Sequence, residues 1–128
     1  MIIGIGNDLI NIDRIEKTLS KFGNRFVNRV FTDIEIKKSD NRLKRSSSYA
    51  KRFAAKEAFS KAIGTGISKG INFNEIIVSN IKSGKPHIKL LGNTKKVVNK
   101  ILNKKKFNIF LSLSDDKPSA VATVIISI

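Results

Sequence analysis

Tyr49-Ala50-Lys51-Arg52-Phe53-Ala54-Ala55-Lys56-Glu57-Ala58-Phe59-Ser60-Lys61-Ala62-Ile63 is the strongest helical stretch of the chain, and the fold is read outward from it. Tyr49, Ala50, Phe53, Ala54, Ala58 and Ala62 form an apolar stripe at helical spacing. Most of them are small, so whatever covers this helix approaches it closely. Ser46 to Ser48 can cap its start, and Gly64-Thr65-Gly66 places glycine where a left-handed helix end is needed. Glu57 stands beside Ala54 and Ala58, on or at the border of the stripe. A carboxylate there is protonated, ion-paired or bound to a cation, because a bare charge in apolar surroundings is costly. An ion pair with Lys56, Lys61 or a distant Arg is the plain alternative to a functional role.

Upstream, Met1 to Ile5 is almost wholly apolar and reads as a short strand buried on both faces. Gly4 and Gly6 thin it, allowing close approach to its backbone. Asp8 closes this apolar stretch, either as the cap of the next helix or as a second site carboxylate. Ile12, Ile15, Leu19 and Phe22 give a helix ended by Gly23, and Asn24 caps a short one carrying Phe26, Val27 and Val30. Thr32-Asp33-Ile34-Glu35 has capping-box spacing and opens a third. Residues 37–48, KKSDNRLKRSSS, read as a polar surface connection.

Downstream, Phe73 to Val78 and His87 to Leu91 read as strands flanking the turn Ser83-Gly84-Lys85-Pro86. Asn93 or Thr94 caps a basic helix, and Phe107 to Leu113 pairs with Ala120 to Ile126 across Ser114-Asp115-Asp116-Lys117-Pro118. A strand, a run of helices and then β-β-α-β-β make an α+β fold. The expectation is one domain over residues 1–128, its mostly antiparallel sheet packed against the long central helix.

Charge narrows the partners. The 128 residues hold 25 Lys+Arg against 10 Asp+Glu, a net charge of +15, which favours nucleic acid, anionic lipid, a polyphosphate cofactor or an acidic protein. The chain has no cysteine, which excludes disulfides, thiol catalysis and Cys-ligated zinc and suits a cytoplasmic location. No apolar run is long enough to span a bilayer, so no membrane partner is expected. One Tyr and no Trp count against a stacking platform for single-stranded nucleic acid. The lone His87 reads as a surface or packing residue, Ser112 and Ser114 have no histidine nearby to activate them, and Asp115-Asp116 reads as turn chemistry.

Asp8 at a strand end and Glu57 on a close-packed helix could share a hard divalent cation. Magnesium commonly takes one or two protein carboxylates and fills its other sites with phosphate oxygens and water. Lys56, Lys61 and the exposed N–H groups of a Gly-Thr-Gly loop could then meet phosphate. This is not a Walker motif, since the lysines precede the glycines. Arg14, Lys17, Lys21, Arg25 and Arg29 form a basic face, either solvated or a docking surface for an acidic helix or phosphate backbone.

Taken together, Gly4-Ile5-Gly6-Asn7-Asp8-Leu9-Ile10 with Arg14-Ile15, Lys51 to Ile67, Gly84-Lys85-Pro86 and Leu111 to Asp116 resemble the holo-[acyl-carrier-protein] synthases, small bacterial 4′-phosphopantetheinyl transferases. The resemblance covers essentially the whole chain. It implies transfer of 4′-phosphopantetheine from coenzyme A to a serine of an acidic apo-acyl carrier protein, with release of adenosine 3′,5′-bisphosphate. It places magnesium on Asp8 and Glu57, catalysis on Asp8, Glu57 and Lys61, and coenzyme A around Arg52, Lys56, Lys61, Gly64 and Gly66. It assigns carrier docking to Arg14, Lys21, Arg25 and Arg29, and it implies a homotrimer with sites at subunit junctions. The general base is open between Glu57, a water on the metal and a carboxylate of the carrier. Phe110 stands where many members carry a histidine, so that histidine's coenzyme A contact does not carry over. The rival readings are a small basic nucleic-acid-binding domain and a non-catalytic coenzyme A- or carrier-binding module. The presence of both Asp8 and Glu57 argues against the second.

Overall fold

The computed structural model describes all 128 residues. Strand β1 (Ile2–Asn11) leads into helices α1 (Ile12–Phe22), α2 (Asn24–Val30), α3 (Asp33–Asp40) and the long α4 (Arg45–Ile63). A 3₁₀ turn (Phe73–Glu75) precedes the hairpin β2 (Ile76–Asn80) and β3 (Pro86–Leu90), then α5 (Gly92–Ile101), β4 (Asn108–Asp116) and β5 (Ser119–Ser127). The first sheet runs β1-β5-β4 and the second β2-β3, with every pairing antiparallel. The fold is α+β, as the sequence implies.

The small-residue stripe of α4 lies on the three-stranded sheet. Ala54, Ala58 and Ala62 meet the inward residues Ala122, Val124 and Ile126 of β5 in the larger core cluster. Contact with β1 is closer still. A Cβ on Gly6 would collide with the Ala58 carbonyl, and one on Gly4 with the Ala62 carbonyl, so only glycine admits the helix at this distance. A second cluster, built on Ile12, Ile15, Leu19, Val27, Val30, Phe31 and Tyr49, packs α1 and α2 on the first half of α4.

Four expectations are corrected. β1 continues to Asn11, and it is buried on one face only: Ile5 and Leu9 on the other face are 67% and 69% exposed. Residues 37–48 are mostly helical, with only Asn41–Lys44 between α3 and α4. Their polar groups satisfy one another: Tyr49 Oη and Arg45 Nε donate to Asp40 at 2.7 and 2.8 Å, and the Ser39 and Ser48 hydroxyls pair at 2.9 Å. Thus α4 begins at Arg45, with Ser46–Ser48 inside its first turn rather than capping it. Helix α5 begins at Gly92 and borrows its cap. The Glu75 carboxylate accepts from the Asn93 and Thr94 N–H groups at 2.9 and 3.1 Å.

Candidate active site

Side chains alternate along β1, so Asp8 shares the α4-facing side with Gly4 and Gly6. It is not the cap of α1. Asn11 is, its side-chain oxygen accepting from the Arg14 N–H at 3.2 Å. Lys61, one turn after Glu57 on α4, donates to Asp8 Oδ1 at 3.1 Å and to the Asn7 carbonyl at 3.0 Å. Burial pushes the Glu57 carboxyl up from its ordinary value, the negative charge of Asp8 pushes it further, and Lys61 partly offsets both. Asp8, Glu57 and Lys61 therefore converge from two elements that glycines allow to touch. No cluster of three or more Asp, Glu, His or Cys forms anywhere, so a cation held by these two carboxylates needs oxygens from a ligand or water to fill its shell.

Lys56, one residue from Glu57, has a different environment. Its side chain is wholly buried. Its ammonium donates to Glu35 Oε1 at 2.9 Å, to the Phe73 carbonyl at 2.8 Å and to the Ile76 carbonyl. An ammonium has three protons, and all are engaged. This corrects the expectation that Lys56 meets phosphate directly: no ligand reaches its Nζ in this fold.

Arg52 lies one turn before Lys56 on the same side of α4. It is buried, and its Nη1 donates to Ser48 Oγ at 2.6 Å while its Nε has no partner. It lines a cleft of about 1230 Å³ with Lys37, Lys38, Arg42, Lys44 and Lys51. The acid there is Asp115, bound to Lys51 at 3.2 Å. Lys37, Lys38, Arg42, Lys44, Lys51 and Arg52 against one acid give the cleft a strongly positive lining, while the unpaired Arg52 Nε is itself buried.

A carboxylate pair with a lysine, beside a basic cleft, in an α+β fold of this order can be compared with known proteins. The family model of the 4′-phosphopantetheinyl transferase superfamily matches residues 4–124. The chain belongs to this superfamily. A holo-[acyl-carrier-protein] synthase of Sinorhizobium medicae is 54% identical over 127 residues, covering 98% of this chain and 91% of the relative. The crystal structure of a holo-[acyl-carrier-protein] synthase from Neisseria meningitidis superposes with a TM-score of 0.90 at 34% identity, each chain covered in full at 100%. That of the Helicobacter pylori synthase in complex with coenzyme A gives 0.81 at 34% identity, over 96% of this chain and 99% of that one.

Within this superfamily member, the Gly-Thr-Gly loop departs from expectation. Gly64 and Gly66 both take positive φ, 92° and 64°. The N–H groups of Gly64, Thr65 and Gly66 all point to the Ser60 carbonyl, at 3.1, 3.2 and 3.1 Å. They close the end of α4 and are not free to cradle phosphate, which corrects that basis for Gly64 and Gly66 in coenzyme A binding. What the glycines leave is open space, since a Cβ on either would meet nothing within 4 Å.

Arg14, Lys21, Arg25 and Arg29 are all exposed on α1 and α2, opposite the buried Ile12, Ile15, Leu19 and Val27. Arg14 follows the β1 end that carries Asp8. Phe110 is 46% exposed on the outer face of β4, with Lys85 Nζ 6.0 Å from its ring centre. His87 is exposed. Sequence reading missed Glu35 as anything beyond a capping-box member. It also missed the cleft lysines of α3, whose only signal was the run of basic residues taken for a surface connection.

Proposed function

We propose that the chain transfers the 4′-phosphopantetheine group of coenzyme A to a serine of an acidic apo-acyl carrier protein. The observation that carries this reading is the convergence of Asp8, Glu57 and Lys61 on the surface of a chain whose superfamily is shown. In this reaction the serine hydroxyl gives up its proton to a general base, its oxygen bonds to the phosphorus nearer the pantetheine, the bridging P–O bond breaks, and adenosine 3′,5′-bisphosphate departs with the bridging oxygen. Charge builds on oxygens that fixed cations stabilise. Lys61, half-exposed and oriented by Asp8 and the Asn7 carbonyl, stands ready to donate to them. Asp8 and Glu57 would hold magnesium, which supplies charge neutralisation at the diphosphate when bound. The basic cleft around Arg52 suits the phosphates of the nucleotide end. The Arg14–Arg29 face suits an acidic carrier. Coenzyme A as donor fits a cytoplasmic enzyme; no helix is long and apolar enough to cross a membrane.

A trimer accounts for two further features. Arg52 and Glu57 project about 140° apart around α4, as five residues at 3.6 per turn require. One coenzyme A spanning both favours a cleft contributed by a second copy. Ile5, Ile125 and Phe110 are cross-strand neighbours on the outer sheet face, an apolar row of the kind that marks an interface. Leu9→Asp on that face is expected to yield monomers in sedimentation equilibrium and to lose activity. Unchanged assembly would remove this part of the reading. The reaction itself is tested by mass spectrometry of apo-carrier protein incubated with the chain, coenzyme A and magnesium. A gain of one phosphopantetheine is expected, and no gain would overturn the assignment.

A further inference from the structure

Three walls of the basic cleft meet at one buried carboxylate. Glu35 Oε1 accepts from Lys56 Nζ on α4 at 2.9 Å and from the N–H of Thr32, at the start of α3, at 3.1 Å. Its Oε2 accepts from the Val78 N–H of β2 at 3.1 Å. Lys56 reinforces the join by binding the carbonyls of Phe73 and Ile76, which lead into β2. Strand β2 pairs only with β3, so its other edge has no strand beside it. Glu35 fills that place. Each wall fixed in this way carries cleft residues: Lys37 and Lys38 on α3, Val78 and Asn80 on β2, Lys51 and Arg52 on α4.

A buried ion pair is a poor source of net stability compared with apolar side chains of the same volume. Its distinctive property is geometry, since directional bonds set a spacing that apolar packing leaves looser. Glu35 also acts on the cleft's electrostatics: burial pulls both Arg52 and Lys56 below their ordinary values, and the Glu35 charge partly offsets it.

We propose that Glu35, with Lys56, is a positioning residue for coenzyme A binding: the pair fixes α3 and β2 against α4 and thereby the spacing of the cleft's cations. Neither side chain touches substrate. The inference rests on the function proposed above and assigns Lys56 a task that its burial permits.

The test is the steady-state rate with coenzyme A and carrier protein varied separately. In Glu35→Gln the KM for coenzyme A should rise about tenfold, while kcat at saturation and the carrier KM stay within about twofold. The split is expected because Asp8, Glu57 and Lys61 lie on the other side of α4. A residue that merely stabilises the fold would lower the melting temperature and the active fraction without moving the KM of the molecules that remain folded. The double variant Glu35→Gln/Lys56→Met removes both charges together and so avoids the unpaired buried ammonium that Glu35→Gln alone leaves. It too should show the raised KM, because the bonds to Val78 and to the Phe73 and Ile76 carbonyls are weakened or lost. An unchanged coenzyme A KM in a folded variant overturns the positioning role while leaving the enzyme's reaction intact. Failure of the wild-type chain to bind coenzyme A in calorimetry would instead overturn the functional reading beneath it.

Discussion

Lys56 and Lys61 stand five residues apart on α4, each bonded to a carboxylate, yet the two sides of the helix use these pairs in opposite ways. Lys56 and Glu35 are closed to solvent, and every ammonium proton has a fixed acceptor. Lys61 is 51% exposed and Asp8 16%, with Glu57 beside them strained toward its neutral form by burial and by Asp8. A pair whose partners are satisfied has little left to offer a ligand. A pair that is partly solvent-exposed and short of positive charge is able to exchange partners with an incoming ligand. The difference lies in what covers each side: α3 and the β2 edge seal the first, while the second opens beside β1.

The largest effect should fall on the open side. On the proposed function, Asp8→Ala and Glu57→Ala are each expected to lower the rate of carrier modification by roughly a thousandfold or more, since each would remove one of the two carboxylates proposed to hold magnesium. Neither variant should lose thermal stability appreciably, because neither side chain supports the core. Near-normal transfer by either folded variant at limiting magnesium would erase the contrast between the sides.

Next come the two lysines. Lys56→Ala leaves Glu35 buried without its counter-charge, a change that costs about 3–5 kcal/mol of stability. Lys61→Ala breaks a half-exposed pair and should cost about 1 kcal/mol or less, while transfer falls sharply. Chemical denaturation and initial rates on both variants give the comparison directly. Should Lys56→Ala prove as stable as the wild type, the sealed side is not what its bonds imply.

A smaller, pH-dependent difference sharpens the point. The folded chain holds the Glu57 proton more tightly than the unfolded chain, because burial and Asp8 raise that carboxyl. Over the interval above the ordinary value of 4.5 the folded state binds more protons, so this group's contribution to stability falls as pH rises. Glu57→Gln abolishes the ionisation. The variant should gain stability relative to wild type at neutral pH and lose that advantage once the medium is more acidic than the ordinary value. Urea unfolding at neutral and acidic pH measures it, and an equal difference at both would place Glu57 in an unstrained environment.

Much of this was legible in the chain. The alanine stripe of α4 and the glycines of β1 announced a close helix–strand contact, and Asp8 and Glu57 stood out as acids in apolar surroundings. Contacts made by long side chains between distant elements were not legible. Glu35 lies 21 residues from Lys56 and 43 from Val78 in sequence, and its local role as a capping-box member explained it fully until the fold was known. Lys56 misled for a related reason. Helical periodicity shows which face a residue is on but not whether that face is covered by a helix with a waiting carboxylate. Residues 37–48 failed as a connection because their polar groups bond to one another, which composition does not reveal.

The last and smallest effect lies outside both sides of α4, on the exposed face of α1 and α2. Charges there have no buried partner, so reversing one should leave stability and coenzyme A affinity nearly unchanged. If an acidic carrier docks on this face, Arg14→Glu and Arg25→Glu raise the carrier KM several-fold at low salt, through slower encounter and poorer orientation. Arg14 should show the larger change, because it begins α1 directly after the strand that carries Asp8, nearest the serine's destination. Salt separates docking from fold damage. At high ionic strength the screening length shrinks to a few ångströms, so the gap between wild type and variant should narrow. Initial rates against carrier concentration at low and high salt give this result for both variants. A carrier KM that charge reversal leaves untouched at low salt would make the face merely solvated, and the carrier would then have to approach from the β1 side of the carboxylates.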